Sequence, residues 1–342
     1  MRKYGLLMLV CLMISGCNQR KTGAETPQEE VTVIEEDGPS PKTVTNNANA
    51  RPNSYDKAEN IYTLNTPDIT ELLSLPDVES LRINTNVNPI NDYRFLTQLS
   101  RLKELHIYGF GIDKDENFDI GVIRNMRSLE RLWLQTESIT VDCALFSRLT
   151  NLQRLDLNGR YIVNSEALFA LPRLEYLFLS FYYDSITLEN AAPGSNIELL
   201  HIFAHSVNLE NIKNLPRLRT MRLHTGRIVN LWALDNPAME TLTLESFDSL
   251  ATSIDTLHID SIARLEQLKS LQVIHFNIAD VSPLLSLPHL ENVLFLYNTV
   301  DIMPLADHKR IQQIFIDSNQ YNAVNREPFE NNGITVINNN AY

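Results

Sequence analysis

Side chains able to do chemistry are few and dispersed along these 342 residues: eight histidines and three cysteines, Cys11, Cys17 and Cys143. Three thiols so far apart make neither a disulfide framework nor a thiolate metal site. Attack by a serine at a Gly-x-Ser-x-Gly elbow, zinc hydrolysis by His-Glu-x-x-His and phosphate capture by a glycine-rich loop each need a local motif, and none of the three is present. No nucleophile, base and orienting group fall together, so nothing argues for an enzyme or calls for a cofactor. What remains is the chemistry of recognition, by rings, guanidinium groups, amides and carboxylates, together with one cysteine in distinctive surroundings.

That cysteine is Cys17. Arg2 and Lys3 precede the apolar run from Leu6 to Ile14, which meets Ser15 and Gly16 just before it. A basic head, about ten apolar residues and small residues at the cut describe a secretory signal, and the run is well short of the roughly 20 residues of a spanning helix. Ile14-Ser15-Gly16-Cys17 resembles the lipobox of bacterial lipoproteins. The resemblance implies cleavage before Cys17 and lipidation of its sulfur and its new amino group; an ordinary secreted protein cut elsewhere is the other reading. Residues 1–17 are therefore assigned to signal peptide and lipobox. In such lipoproteins the following residue influences sorting, and Asn18 is not the aspartate associated with inner-membrane retention. The resemblance thus implies a cell-envelope protein, lipid-anchored at the outer membrane of a host with two membranes, with the face it occupies left open. Cys11, inside the apolar run, reads as a small hydrophobe.

Residues 18–55 carry Glu29-Glu30, Glu35-Glu36-Asp37 and Asn46-Asn47, with almost no large apolar side chain after Ile34. Such composition buries too little surface to offset chain entropy. It reads as a flexible acidic tether with a reach of about 35 Å.

The elements that must position any recognition surface come from a repeat. Beyond the tether one phrase, apolar-x-x-apolar-x-apolar, recurs eleven times, beginning at Val78, Leu102, Leu129, Leu152, Leu174, Ile197, Leu218, Met239, Leu268, Leu290 and Ile311. Copies such as Leu129-Glu-Arg-Leu132-Trp-Leu134 and Leu152-Gln-Arg-Leu155-Asp-Leu157 follow one another at 21 to 29 residues. Alternation around the last two apolar positions predicts a short strand with one face inward, and stacked copies cover one another's apolar faces. The phrase and its period resemble leucine-rich repeats of the short, internalin-like bacterial class, over roughly residues 61 to 337. The expected fold is an α/β solenoid, a horseshoe with a parallel concave sheet and short helical or 3-10 convex segments, about eleven repeats plus caps, spanning residues 56–342. Val141–Ser147 and Ser165–Leu171 have the spacing of convex helical turns, which would bury Cys143. Ile61–Leu64 reads as an N-terminal cap and Phe329–Ile337 as a closing strand. The family usually places asparagine three positions after the last strand leucine; only Asn86, Asn298 and Asn319 fit, while Phe110, Glu137, Arg160, Tyr182 and Phe247 depart, so middle turns that are irregular or held by water and backbone contacts are expected. The longest step holds an insertion from Asp248 to Ser261.

Outward strand positions form the concave face, where solenoids generally bind. One column reads Arg82, His106, Trp133, Asp156, Phe178, His201, Arg222, Thr243, Gln272, Leu294 and Phe315; the next includes Tyr108, Gln135, Asn158, Phe203, His224, Glu245, Ile274 and Leu296. Tyr108, Trp133, Phe178 and Phe203, flanked by His201 and Arg222, are expected to form an aromatic patch of the kind that anchors protein partners. Phe181, Tyr182 and Tyr183 either extend it or pack into irregular turns. Gln135, Asp156 and Asn158 beside Trp133 are the amides and carboxylate that a glycan would use. His201 and His224 lie on adjacent repeats without a third ligand on those repeats, so no metal is expected. A second apolar patch is expected from Ile274, Leu294, Leu296 and Phe315.

With 29 Lys+Arg against 42 Asp+Glu, a formal charge of −13, the surface repels phosphate backbones and excludes nucleic acid as a partner. Binding of a partner protein through the concave face is the leading expectation. A structural or protective envelope lipoprotein that binds glycan or neutralises a toxin is the alternative.

Overall fold

The computed structural model describes residues 51–339 except 76, 86–89, 91, 109–119, 136–139 and 248–255. Cys17 with the signal segment, the tether up to residue 50, Asn86, Phe110, Glu137 and most of the insertion lie outside the described residues.

Each of the eleven phrases gives a strand, and seven further strands lie before, between or after them among the described residues. In chain order the strands are β1 (Ser54–Asp56), β2 (Ile61–Leu64), β3 (Ser80–Asn84), β4 (Glu104–Tyr108), β5 (Arg131–Gln135), β6 (Thr140–Asp142), β7 (Arg154–Asn158), β8 (Tyr161–Val163) and β9 (Tyr176–Thr187). There follow β10 (Leu199–Asn208), β11 (Thr220–Val229), β12 (Thr241–Glu245), β13 (Thr256–Leu257), β14 (Ser270–Ile274), β15 (Asn277–Ile278), β16 (Asn292–Leu296), β17 (Gln313–Ile316) and β18 (Thr335–Asn338). Fourteen of them form one sheet in chain order, while β6 pairs with β8 and β13 with β15. Every neighbour in the large sheet is parallel except β1, which runs antiparallel to β2. The sheet thus begins at Ser54, with Tyr55 stacked on the buried Tyr62 at a ring separation of 6.3 Å.

Register is set by the alternating leucines. Leu132 stands opposite Leu155 and Leu134 opposite Leu157, and the same pairing carries on to Leu177 and Leu179. All six are buried, because each repeat roofs the apolar row of its neighbour. A backbone spine reinforces the stack. From Glu79 to Glu291 the carbonyl just before each strand accepts two N–H groups from the next repeat: Glu79 O from Lys103 N at 2.8 Å and Glu104 N at 2.9 Å, Lys103 O from Glu130 N and Arg131 N at 2.8 and 2.9 Å.

The convex side carries 3-10 turns such as Arg94–Gln98, Cys143–Arg148, Ser282–Ser286 and Met303–Asp307, with α1 (Thr70–Leu73) and α2 (Glu166–Phe169) the α-helical counterparts. Both expected convex segments are therefore present, and Cys143 is buried under the first. That turn starts where it does because the Asp142 carboxylate accepts the Ala144 N–H at 3.0 Å. α3 (Ser318–Ala323) and α4 (Glu327–Asn331) precede the closing strand β18. The described end of the insertion is ordered into the stack: β13 pairs with β15, and the Ser261 hydroxyl donates to Leu231 O at 2.9 Å.

One expectation about turns needs correction, and one is decided between its alternatives. Asn298 does what the family pattern implies, accepting from Phe276 N at 3.0 Å and donating to Val273 O at 2.8 Å while nearly buried. Asn319 does not, because Asp317 caps α3 there and Asn319 is an exposed residue of that helix. In the middle of the stack backbone contacts hold the chain past the phrase, with one bulge in β9. There β9, β10 and β11 run on for 12, 10 and 10 residues as one ladder, so no turning asparagine is needed. Asparagines on the convex side tie successive repeats together: Asn196 donates to Pro172 O, Asn214 to Ala191 O, and buried Asn236 to both Ile212 O and Leu215 O.

Candidate functional site

The concave face is built from outward residues in register, so neighbours in a column sit one strand spacing, about 4.8 Å, apart. Arg82, His106, Trp133, Asp156, Phe178, His201, Arg222 and Thr243 follow one another across β3, β4, β5, β7, β9, β10, β11 and β12. The next column brings Gln135 opposite Asn158, and Phe203 opposite His224.

The expected single patch is two sites divided by a charge pair. On one side the Trp133 ring lies 5.5 Å from that of His106. Glu104 is half-buried beneath them, with Oε1 2.8 Å from His106 Nε2 and Oε2 accepting from Arg131. His106 foremost, then Arg131, hold its carboxyl down at about 2 against burial, which pushes the other way. Tyr108 sits half-buried on β4, and its backbone carbonyl accepts from Thr85 N at 2.9 Å.

The divider is Asp156. It is only 7% exposed and accepts from Arg154 Nε at 2.8 Å and Nη2 at 3.3 Å. Arg154 in turn lies over the Tyr176 ring, 3.9 Å from its centroid. Asp156 is therefore committed to its own strand and is not the open carboxylate a glycan hydroxyl would need.

Beyond the divider the rings are continuous. Phe178 meets His201 edge-on at 4.8 Å, His201 lies 5.0 Å from His224, and Phe203 lies 6.1 Å from His224. Phe203 stacks on Tyr182 at 5.7 Å, and Phe247 closes the triangle at 5.3 Å from Phe203 and 4.9 Å from Tyr182. Tyr183, 69% exposed, extends the wall from Tyr182 at 5.0 Å. These tyrosines face outward because β9 bulges: Phe181 pairs with Ala204 and Ser185 with Ser206, so three residues of β9 stand opposite His205 alone. Phe181 itself is fully buried and belongs to the core.

Sequence reasoning placed Phe247 only as a departure from the family turn. The one available signal is Gly226, whose missing side chain leaves room for that ring: a Cβ there would lie 3.5 Å from Phe247 and 3.0 Å from His205 O.

His201 is held neutral. Burial chiefly, then His224 and Arg222, push its pKa down to about 3, and its Nε2 is buried without a hydrogen-bond partner among the described residues. His224 Nδ1 lies 2.8 Å from Glu245 Oε2. Among the described residues no group of three or more His, Cys, Asp or Glu side chains could hold a metal ion.

The expected second patch is smaller than the sequence implied, because Leu296 is only 2% exposed. Leu294 and Phe315, with Gln272 and Asn339, line a shallow depression of about 230 Å³.

A parallel ladder of regularly repeated strands with 3-10 turns behind it decides the architecture. The fold is a leucine-rich repeat solenoid. No protein-family model matches the chain, and no curated protein does. Among solved structures, an internalin from Listeria monocytogenes is 17% identical over 81% of this chain and 86% of its own, with a TM-score of 0.48. A leucine-rich repeat protein from Leptospira interrogans is 16% identical over 81% of this chain and 88% of its own, also at 0.48. Likeness at this level adds nothing to the fold, which rests on the repeat and on the register of the sheet.

Proposed function

We propose that this leucine-rich repeat protein is a lipid-anchored component of a bacterial cell envelope that binds a partner protein through its concave face. The observation that carries the reading is the wall on β9, β10 and the turn after β12, a triangle of Phe203, Tyr182 and Phe247 that is joined to Phe178 through the rings of His224 and His201. Rigid rings on a fixed scaffold offer large contact area at low cost in side-chain entropy, which is the make-up of interface hot spots. Anchoring rests on the lipobox-like Ile14–Cys17, and no helix among the described residues is long and apolar enough to cross a membrane.

The test is capture by the whole protein from envelope and host-cell extracts, comparing the native chain with a Phe178→Ala/Phe203→Ala pair. A protein retained by the first and lost by the second supports the reading; identical recoveries with the fold intact reject it. Metabolic labelling with palmitate should mark the native chain and not Cys17→Ala.

Glycan binding keeps one observation in its favour. Trp133 has the amides of Gln135 and Asn158, in register, in the adjoining column. A glycan array that depends on Trp133 would move the function to that half of the face.

A further inference from the structure

Two cations of the concave face, Arg82 and Arg222, have no ion pair among the described residues, and Arg222 is the one that adjoins the aromatic wall. The outward carboxylates are each engaged: Glu104 by His106 and Arg131, Asp156 by Arg154, Glu245 by His224. Arg131 and Arg154 are consumed by the same pairs. Arg222 has no ion pair among the described residues, although the chain carries a formal charge of −13. Arg82 is also exposed and unpaired, but it lies four strands, about 19 Å, from Phe178.

Register fixes what surrounds Arg222. In its column it stands between His201 and Thr243. His201 is neutral, so it neither competes as a cation nor supplies an anion. In the adjoining column lie Phe203 and His224, with the Phe178 ring beyond His201. A guanidinium with five N–H donors therefore sits, without a counter-charge, at the border of an aromatic wall.

We propose that Arg222 is the anchor for a single carboxylate of the partner, presented beside an aromatic or aliphatic group that lies on Phe178 and Phe203. This deepens the concave-face reading and rests on it. A planar carboxylate matches the guanidinium fork in a bidentate pair, which a hydroxyl or an amide cannot reproduce. The ligand is a lone acid in apolar surroundings and not an acidic run. In the row just before the strands Glu79, Glu130, Glu175, Glu198, Glu240 and Glu291 outnumber Lys103, Arg219 and Lys269, which pair with Glu79 and Glu240, so the margin stays net negative and disfavours clustered acids. A solitary carboxylate docked at Arg222 is less affected, because charges beyond about 8 Å are screened at physiological salt.

The experiment titrates the full chain with 3-phenylpropanoate and with its uncharged amide, 3-phenylpropanamide, while following NMR signals of labelled phenylalanine rings. The acid should shift the Phe178 and Phe203 signals, and the amide should bind about tenfold more weakly. Arg222→Gln should bring the acid down to the level of the amide, and Arg222→Lys should recover part of the difference. An unchanged melting temperature shows that the variants fold, as expected for a side chain without an ion pair. Equal binding of acid and amide, indifferent to Arg222→Gln, overturns the carboxylate anchor and leaves the aromatic reading standing. If neither compound shifts any ring signal, both fall together.

Discussion

Replacing His201 by leucine should flatten the acid side of the stability curve. In the folded chain the His201 ring is buried between Phe178 and His224, and its pKa lies near 3 against an ordinary value of 6.5. Between those two values the unfolded chain binds a proton at this residue that the folded chain refuses. Stability from this source is therefore complete above about pH 6.5 and declines as pH falls toward 3. One pKa unit corresponds to ~1.4 kcal/mol, so moving from pH 7.5 to pH 4.5 should remove ~2–3 kcal/mol through His201 alone. Glu104, lowered from 4.5 to about 2, acts in the same direction but only below pH 4.5, which separates the two contributions. The assay is urea unfolding followed by tryptophan fluorescence at a series of pH values, for the native chain and His201→Leu. At pH 7.5 the variant should be close to native in stability, because the neutral ring leaves its buried Nε2 unpartnered and leucine removes that defect. At pH 4.5 the variant should be the more stable of the two. Parallel pH profiles would refute the argument, since they would mean that His201 takes up its proton in the fold without penalty.

Other outcomes follow from the same geometry. Leu155→Ala, at the centre of the buried ladder, should cost about 3 kcal/mol in denaturant unfolding, because the repeats on either side hold the cavity open. Asn236→Ala should cost about 2 kcal/mol by removing two buried hydrogen bonds, to Ile212 O and Leu215 O, which keep only the N–H groups of Leu215 and Leu218. Burial pushes the Cys143 thiol far above its ordinary value, so iodoacetamide should leave Cys143 unmodified in the native chain and label it in urea, as read by peptide mass mapping. Gly226→Val should displace the Phe247 ring, since even a Cβ there meets His205 O at 3.0 Å; the Phe247 ring signal should shift and stability fall by ~1–3 kcal/mol.

The candidate surface was partly legible in the sequence. Phe178, Phe203, His201 and Arg222 stand on outward strand positions as the repeat phrase requires, since a strand sends alternate side chains to opposite faces. Trp133 stands outward too, but Asp156 and Arg154 separate it from the other rings. No pattern in the sequence announced that pair, because Arg154 occupies the outward position just before the one read as a column and its commitment depends on how the side chains settle on the face. Leu296 was placed outward by the same alternation, yet it is buried in the structure.

What the sequence determined by itself is the stack: eleven copies of one phrase locate the strands, their inward leucines and their parallel order, because alternation and period are local properties that every copy repeats. What only the tertiary structure decided is where the ladder continues past the phrase and which rings meet. β9, β10 and β11 extend together because each supplies the hydrogen-bond partners of the next, which no single repeat contains. Tyr182, Phe203 and Phe247 come from three different repeats, and their contact depends on a bulge in one, a strand in the second and a turn beside Gly226 in the third. Such contacts are made across the stack, between residues more than twenty positions apart, and so become visible only once the register is set.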